Sequence, residues 1–116
     1  MATKAEVREK VLRKLRVLAE GESPSAQVQT DTDAAIDEMH AFLAAKNAIT
    51  WDADEDIPTA AVRPFVSVVA SELADEFEVD EMRYNRVRGE ASGAIRELIK
   101  LATPTYIPQS IVADYY

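Results

Sequence analysis

The sequence predicts an all-α fold: a small antiparallel bundle of about four helices, followed by an extended C-terminal tail. Four segments carry apolar residues at spacings of three and four, as amphipathic helices do, and short connections with Gly, Pro or acidic residues separate them. The segment TPTYIPQSIVADYY contains two prolines and no helical period. We therefore divide the chain into a helical bundle domain, residues 1–102, and a tail, residues 103–116.

Length and composition limit the classes of protein to consider. A chain of 116 residues is long enough for one modest core. The absence of cysteine excludes disulfides and thiolate metal sites. No apolar run approaches the roughly 20 residues that span a bilayer, and MATKAEVREK has no signal-peptide stretch. We expect a protein made in the cytoplasm, with no membrane partner.

The net charge of −8 is unevenly distributed along the chain. Residues 1–19 carry a net charge of +4, residues 20–82 carry −14, and residues 83–116 carry +2. An acidic middle disfavours wrapping of nucleic acid, because neutralising phosphates needs Lys and Arg. It is either a solvated acidic face or a surface that repels DNA or pairs with a basic partner.

The first helix is predicted over residues 4–19. Thr3 and Glu6 have the spacing of a capping box, and Gly21 is a natural stop. One face is basic, and we expect it to be solvated unless it contacts an acidic neighbouring subunit or nucleic acid; this face comprises Arg8, Arg13, Lys14 and Arg16.

The second helix is predicted over residues 26–46. Ser23 or Ser25 can cap it, Pro24 suits a first-turn position, and Asn47 is a plausible C-terminal residue. Its acidic residues are expected to face water and to suit the helix dipole; they are Asp31, Asp33, Asp37 and Glu38.

The stretch AITWDADEDIP is predicted to be a loop, anchored by Ile49, Trp51 and Ile57. Its acidic residues do not form an EF-hand, because the sixth and twelfth positions counted from Asp52 are isoleucine and arginine. The third helix follows and reaches Phe77. Pro64 lies inside its apolar pattern and is expected to kink the helix or delay its start.

The fourth helix is predicted over residues 81–102, with Asp80 as its cap. Two glycines four residues apart indicate close approach of another helix, either within the bundle or from a neighbouring subunit. Arg83, Arg86, Arg88 and Arg96 are expected to pair with the acidic middle of the same or an adjacent chain. The residues predicted to contact a neighbouring subunit are Arg83, Arg86, Arg88, Gly89 and Gly93.

No catalytic constellation is visible. His40 is the only histidine, so neither a two-histidine carboxylate metal site nor a convincing Ser–His–Asp arrangement can be built. Three glycines provide no phosphate loop. We predict no enzyme activity, no cofactor and no metal. A helix-turn-helix is disfavoured, because its second helix would present acidic residues to DNA.

Two stretches carry a family resemblance. VLRKLRVLAEGESPSAQ has a Leu-x-x-Leu-x-Val pattern and then a Gly-Glu-x-Pro turn, and a helix with spaced Ala, Met and Leu and a nearby Trp follows; the residues are Leu12, Leu15, Val17, Gly21, Glu22, Pro24, Ala35, Met39, Leu43 and Trp51. IPTAAVRPFVSVVASELADEF resembles the next helix of the same pattern. Over about residues 7–100 the chain resembles the head-to-tail adaptor, or connector, proteins of tailed bacteriophages.

That resemblance implies a structural role in the virion. Such proteins are helical and form a ring, commonly of twelve subunits, at the head–tail junction. The ring binds the portal protein, extends the DNA channel without reading its sequence, and receives the next tail or stopper protein. By the same resemblance, the C-terminal segment reaches the portal or a neighbouring copy.

The composition of the tail agrees with docking. Its prolines favour extended backbone, and its apolar groups would serve as anchors on another chain; the predicted partner-binding residues are Tyr106, Ile107, Pro108, Ile111, Val112, Tyr115 and Tyr116. The tail folding back over its own bundle is the alternative. For the whole chain, the alternatives are a helical nucleic-acid-binding packaging or regulatory protein and a partner-binding helical module.

Overall fold

The computed structural model describes residues 1–17 and 24–102, and it confirms the all-α fold over these residues. Four helices occur in the order α1 (Lys4–Lys14), α2 (Ala26–Ala45), α3 (Thr59–Leu73) and α4 (Glu81–Ala102). Within the described ranges, the only bridge between extended segments is an antiparallel pairing of Ala2 with Ile57. The predicted tail lies outside the described residues.

Helix α3 is the centre of the fold. It contacts each of the other three helices, and every residue of its 64–71 stretch is buried. A helix that is apolar all round belongs in a core rather than on a surface. The Phe65 ring lies at its midpoint and meets the Trp51 ring edge-on, with 5.5 Å between ring centroids.

The sequence predicts either a kink in α3 at Pro64 or a later start of the helix. The later start is wrong. The helix begins at Thr59, directly after Pro58, and Pro64 is its sixth residue. Pro64 lacks the N–H that would bond the Ala60 carbonyl. The buried packing around Pro64 therefore holds a helix that its local preference disfavours.

The predicted caps are confirmed at three helix starts. Thr3 and Glu6 form the capping box, Ser25 Oγ accepts the Val28 N–H at 3.3 Å, and Asp80 accepts the Arg83 N–H at 3.0 Å. The placement of Pro24 in the first turn was wrong, because it precedes the cap residue Ser25.

The first helix is shorter than predicted, ending at Lys14 rather than at residue 19. Arg16 adopts a left-handed conformation with φ of 60°, and the Val17 N–H bonds the Leu12 carbonyl at 3.0 Å. This is a Schellman motif, which normally uses glycine at the left-handed position. The predicted stop, Gly21, lies outside the described residues.

Two further helical segments end in the same way. Asn47, the predicted terminal residue of α2, has φ of 57°, and the Ala48 N–H bonds the Leu43 carbonyl at 2.9 Å. After α3, a continued turn reaches Glu78, with φ of 51°. Asparagine is a common residue at this position, so the sequence indicated the end of α2, whereas glutamate at residue 78 gave no such signal.

A short extended N-terminus joins the loop between α2 and α3. Ala2 and Ile57 exchange backbone hydrogen bonds of 2.9 and 2.8 Å, and the amino group of Met1 donates to Thr59 Oγ1 at 2.8 Å. Trp51 and Ile57 are buried, which confirms both as anchors. The loop is thus fixed at the end of the bundle where α3 begins.

Candidate functional site

Helix α4 has two contrasting faces. Val87, Ala94 and Leu98 are buried against the bundle. On the opposite side, a row at spacings of four and three is exposed or half-exposed. We call this row the outer face of α4; it comprises Met82, Arg86, Gly89, Gly93, Arg96 and Lys100.

The two glycines of the outer face have free space around them. Among the described residues, and apart from the backbone of α4 itself, a methyl group built at Gly89 would meet no atom within 4 Å, and one built at Gly93 would meet only the Arg96 guanidinium, at 3.9 Å. Close approach within the bundle was one of two predicted uses of these glycines, and it is wrong. Close approach of a neighbouring subunit remains a prediction.

The arginines of α4 have different surroundings. Arg83 is half-buried, and its Nη1 donates to the Lys14 carbonyl at 3.1 Å, at the C-terminal end of α1. The Arg88 guanidinium lies 5.7 Å from the centre of the Tyr84 ring. Arg86 and Arg96 are exposed.

None of these arginines forms an ion pair with a carboxylate among the described residues. The prediction that they pair with the acidic middle of the same chain is therefore wrong over that part of the chain. Pairing with an adjacent chain remains a prediction.

Instead, the acidic residues of α2 pair with α1. Arg8 Nη1 donates to both carboxylate oxygens of Asp33, at 2.9 and 3.0 Å, and Lys4 meets Asp37 at 2.7 Å. Asp37 remains 58% exposed, as predicted, whereas Asp33 is 34% exposed, because α1 and α2 run antiparallel and bring Arg8 beside it. Lys14 likewise meets Glu90, at 3.1 Å.

A second cluster of acidic side chains is exposed. All residues from Asp52 to Asp56 are exposed, and the Glu55 carboxylate accepts the Asp52 N–H at 2.7 Å. We call residues 52–56 the acidic loop. Across the described ranges, no group of three or more potential ligands is arranged to hold a metal ion.

His40 has a structural position. Its ring is half-buried, and Nε2 donates to the Trp51 carbonyl at 2.8 Å, since a carbonyl only accepts. The ring also lies edge-on to Trp51, with 6.1 Å between centroids. His40 therefore ties the α2–α3 loop to α2.

An apolar groove crosses α3 between α2 and α4. It has a volume of about 590 Å³, and its apolar lining includes Met39, Phe42, Val68 and Ile95. Phe42 is 44% exposed, with the Lys46 ammonium 5.0 Å from its ring centre. The groove therefore leaves apolar side chains of α2 partly uncovered.

A smaller cleft opens where α4 ends, and we call it the terminal cleft. It has a volume of about 150 Å³ and lies between the start of α3, the loop after α2 and the last turn of α4. Its wall includes Ile49, Trp51, Ala60, Leu101 and Ala102. Local sequence patterns give no sign of it, because three separate segments build it.

The predicted docking residues of the tail lie outside the described residues, namely Tyr106, Ile107, Pro108, Ile111, Val112, Tyr115 and Tyr116. Among the described helices, none combines the length and apolar character required to cross a bilayer. Comparisons with protein-family models, curated proteins and solved structures find no match to this chain.

Proposed function

We propose that this chain is a structural subunit of the head–tail adaptor of a tailed bacteriophage. About twelve copies form a ring below the portal protein, extend the DNA channel and receive the next tail or stopper protein. Residues 103–116 dock on the portal or on a neighbouring copy. The protein acts in the virion by assembly and without catalysis.

The outer face of α4 is the observation that carries the proposal. Gly89 has open space around it, although glycine inside a helix costs about 1 kcal/mol relative to alanine. Arg86 and Arg96 have no carboxylate partner among the described residues. Glycine and unpaired arginine on one exposed face support close contact with a second, acidic chain.

The acidic loop gives the same chain a complementary surface. A closed ring requires a heterologous contact, in which one patch of a subunit meets a different patch of the next. A basic outer face of α4 and an acidic loop on a separate part of the subunit satisfy that requirement. Acidic side chains that remain free in the ring would repel DNA and let it slide through the channel.

Purified chain mixed with portal particles tests the proposal. We expect a ring of added density below the portal in electron micrographs. A variant that ends at Ala102 should leave the portal bare, because it lacks the docking segment. Portal particles that gain no density from the full chain would contradict the proposal.

A gel-shift assay at physiological salt tests the alternative class. The proposal predicts no sequence-selective shift of duplex DNA, because the acidic middle of the chain, residues 20–82 with a net charge of −14, would repel phosphates. A selective shift would instead favour a nucleic-acid-binding packaging or regulatory protein.

A further inference from the structure

The terminal cleft lies at the point where the chain leaves α4. Ala102 is the last residue of the helix and also part of the cleft wall. Two residues later comes Pro104, which cannot continue a helix and which disfavours helical backbone at the residue before it. The segment that follows α4 therefore begins beside the cleft.

The size and lining of the cleft suit one aromatic ring. Its volume of about 150 Å³ is close to that of an apolar protein cavity known to bind benzene. Ile49 and Leu101 offer aliphatic surface, and Trp51 offers a ring for an edge-to-face contact. Leu101 is 49% exposed, so it gains burial when the cleft is filled.

We propose that the side chain of Tyr106 fills the terminal cleft of its own chain. Tyr106 follows Ala102 by four residues, which span up to about 13 Å of extended backbone. It is the first aromatic residue after the helix. Its hydroxyl group can stay at the open mouth of the cleft, in water, while the ring is buried.

The tether favours the chain's own tyrosine over that of a second copy. A group joined to its site by a short covalent tether has an effective concentration in the millimolar range, far above the concentration of free copies in dilute solution. The inference does not depend on the proposed function, and it narrows the docking segment given there, residues 103–116, by removing Tyr106 from the residues that bind a partner. It assigns Tyr106 to an internal anchor and leaves the later apolar residues for a partner, namely Ile111, Val112, Tyr115 and Tyr116.

Methyl NMR spectra of the full chain test the inference without any portal. A ring seated in the cleft should shift the Ile49 and Leu101 methyl resonances upfield and give cross-peaks to the Tyr106 ring. Tyr106→Ala should abolish both signals and make Trp51 more accessible to acrylamide. Tyr116→Ala is the matched control and should change neither.

A second variant blocks the terminal cleft with another side chain and leaves Tyr106 in place. Ala60 is exposed at the cleft wall, so Ala60→Arg should displace the tyrosine without disturbing the core. It should reproduce the loss of shift seen with Tyr106→Ala. Tenfold dilution of the unmodified chain should leave the methyl positions unchanged.

Three results would overturn the inference. Methyl shifts that depend on concentration would place the tyrosine of a second copy in the cleft. Shifts that survive Tyr106→Ala would assign the site to another side chain, and the absence of any shift would leave the cleft unfilled in the free subunit. None of these outcomes depends on whether the chain binds a portal.

Discussion

Helices α3 and α4 lie side by side but differ in how much of their surface is buried within the described chain. Residues 64–71 of α3 are buried on every side. Helix α4, in contrast, buries only one narrow row of side chains, and its outer face is exposed or half-exposed. A fully buried helix is constrained by packing alone. The outer face of α4 is free of that constraint among the described residues, so packing within the chain does not explain why it carries glycines and arginines.

Substitution at the centre of α3 is expected to change the free energy of unfolding most. Phe65→Ala removes a buried ring and leaves a cavity, which should lower the free energy of unfolding by about 3–5 kcal/mol. Met82→Ala on α4 is the control and should change it by less than about 0.5 kcal/mol, because Met82 is 75% exposed. Urea denaturation measures both values. Equal losses would mean that the two helices do not differ as described.

Substitution of a glycine on α4 should raise the free energy of unfolding instead of lowering it. Gly89→Ala should raise the free energy of unfolding by up to about 1 kcal/mol, because alanine favours helix and its methyl group meets open space. Urea denaturation of the dilute subunit is again the measurement. A loss of stability would reveal a contact at Gly89 inside the subunit.

A smaller decrease in the free energy of unfolding is expected when the contact between α1 and α2 is broken. Arg8→Ala should cost about 1 kcal/mol, because a partly buried arginine bonded to both oxygens of Asp33 exceeds an ordinary surface ion pair. Arg13→Ala, which breaks only a pair with Glu9 on the same helix, should cost about 0.3–0.5 kcal/mol. The reverse order in thermal unfolding would contradict the structure.

The smallest effect concerns pH at the start of α1. The Thr3 backbone N–H, and then the Thr3 hydroxyl, bond the Glu6 carboxylate and lower its pKa. Because the folded pKa is depressed, this stabilisation is present above the unfolded pKa and is lost as pH falls through the folded value. Amide exchange at Thr3 should therefore speed up in acid, relative to the intrinsic rate, and Glu6→Gln should remove that dependence. An unchanged pH profile in the variant would exclude Glu6 as its source.

Local signals predicted the helices where a cap or a helical period defined them. The bounds of α4 were predicted correctly, since Asp80 caps its start and Pro104 follows its end. The end of α1 was not predicted, because it depends on a left-handed conformation at Arg16, and arginine rarely takes that conformation. Where a side chain caps the start of a helix, the sequence was sufficient.

Contacts between distant segments were not predictable in the same way. The bridge between Ala2 and Ile57, the bond from Arg83 to the Lys14 carbonyl and the terminal cleft each join parts of the chain far apart in sequence. Helical periodicity identified α4 as amphipathic, but it did not show that its glycines have open space. That finding required the packed neighbours.

The most direct measurement for the whole account is electron microscopy of portal particles incubated with Gly89→Phe. Ala34→Phe on α2 is the matched control, since both positions are exposed. We expect both variants to fold and only the control to add a complete ring, because the phenyl group on α4 would hold the next subunit away. A complete ring from Gly89→Phe would contradict the assignment of this face to contacts between copies.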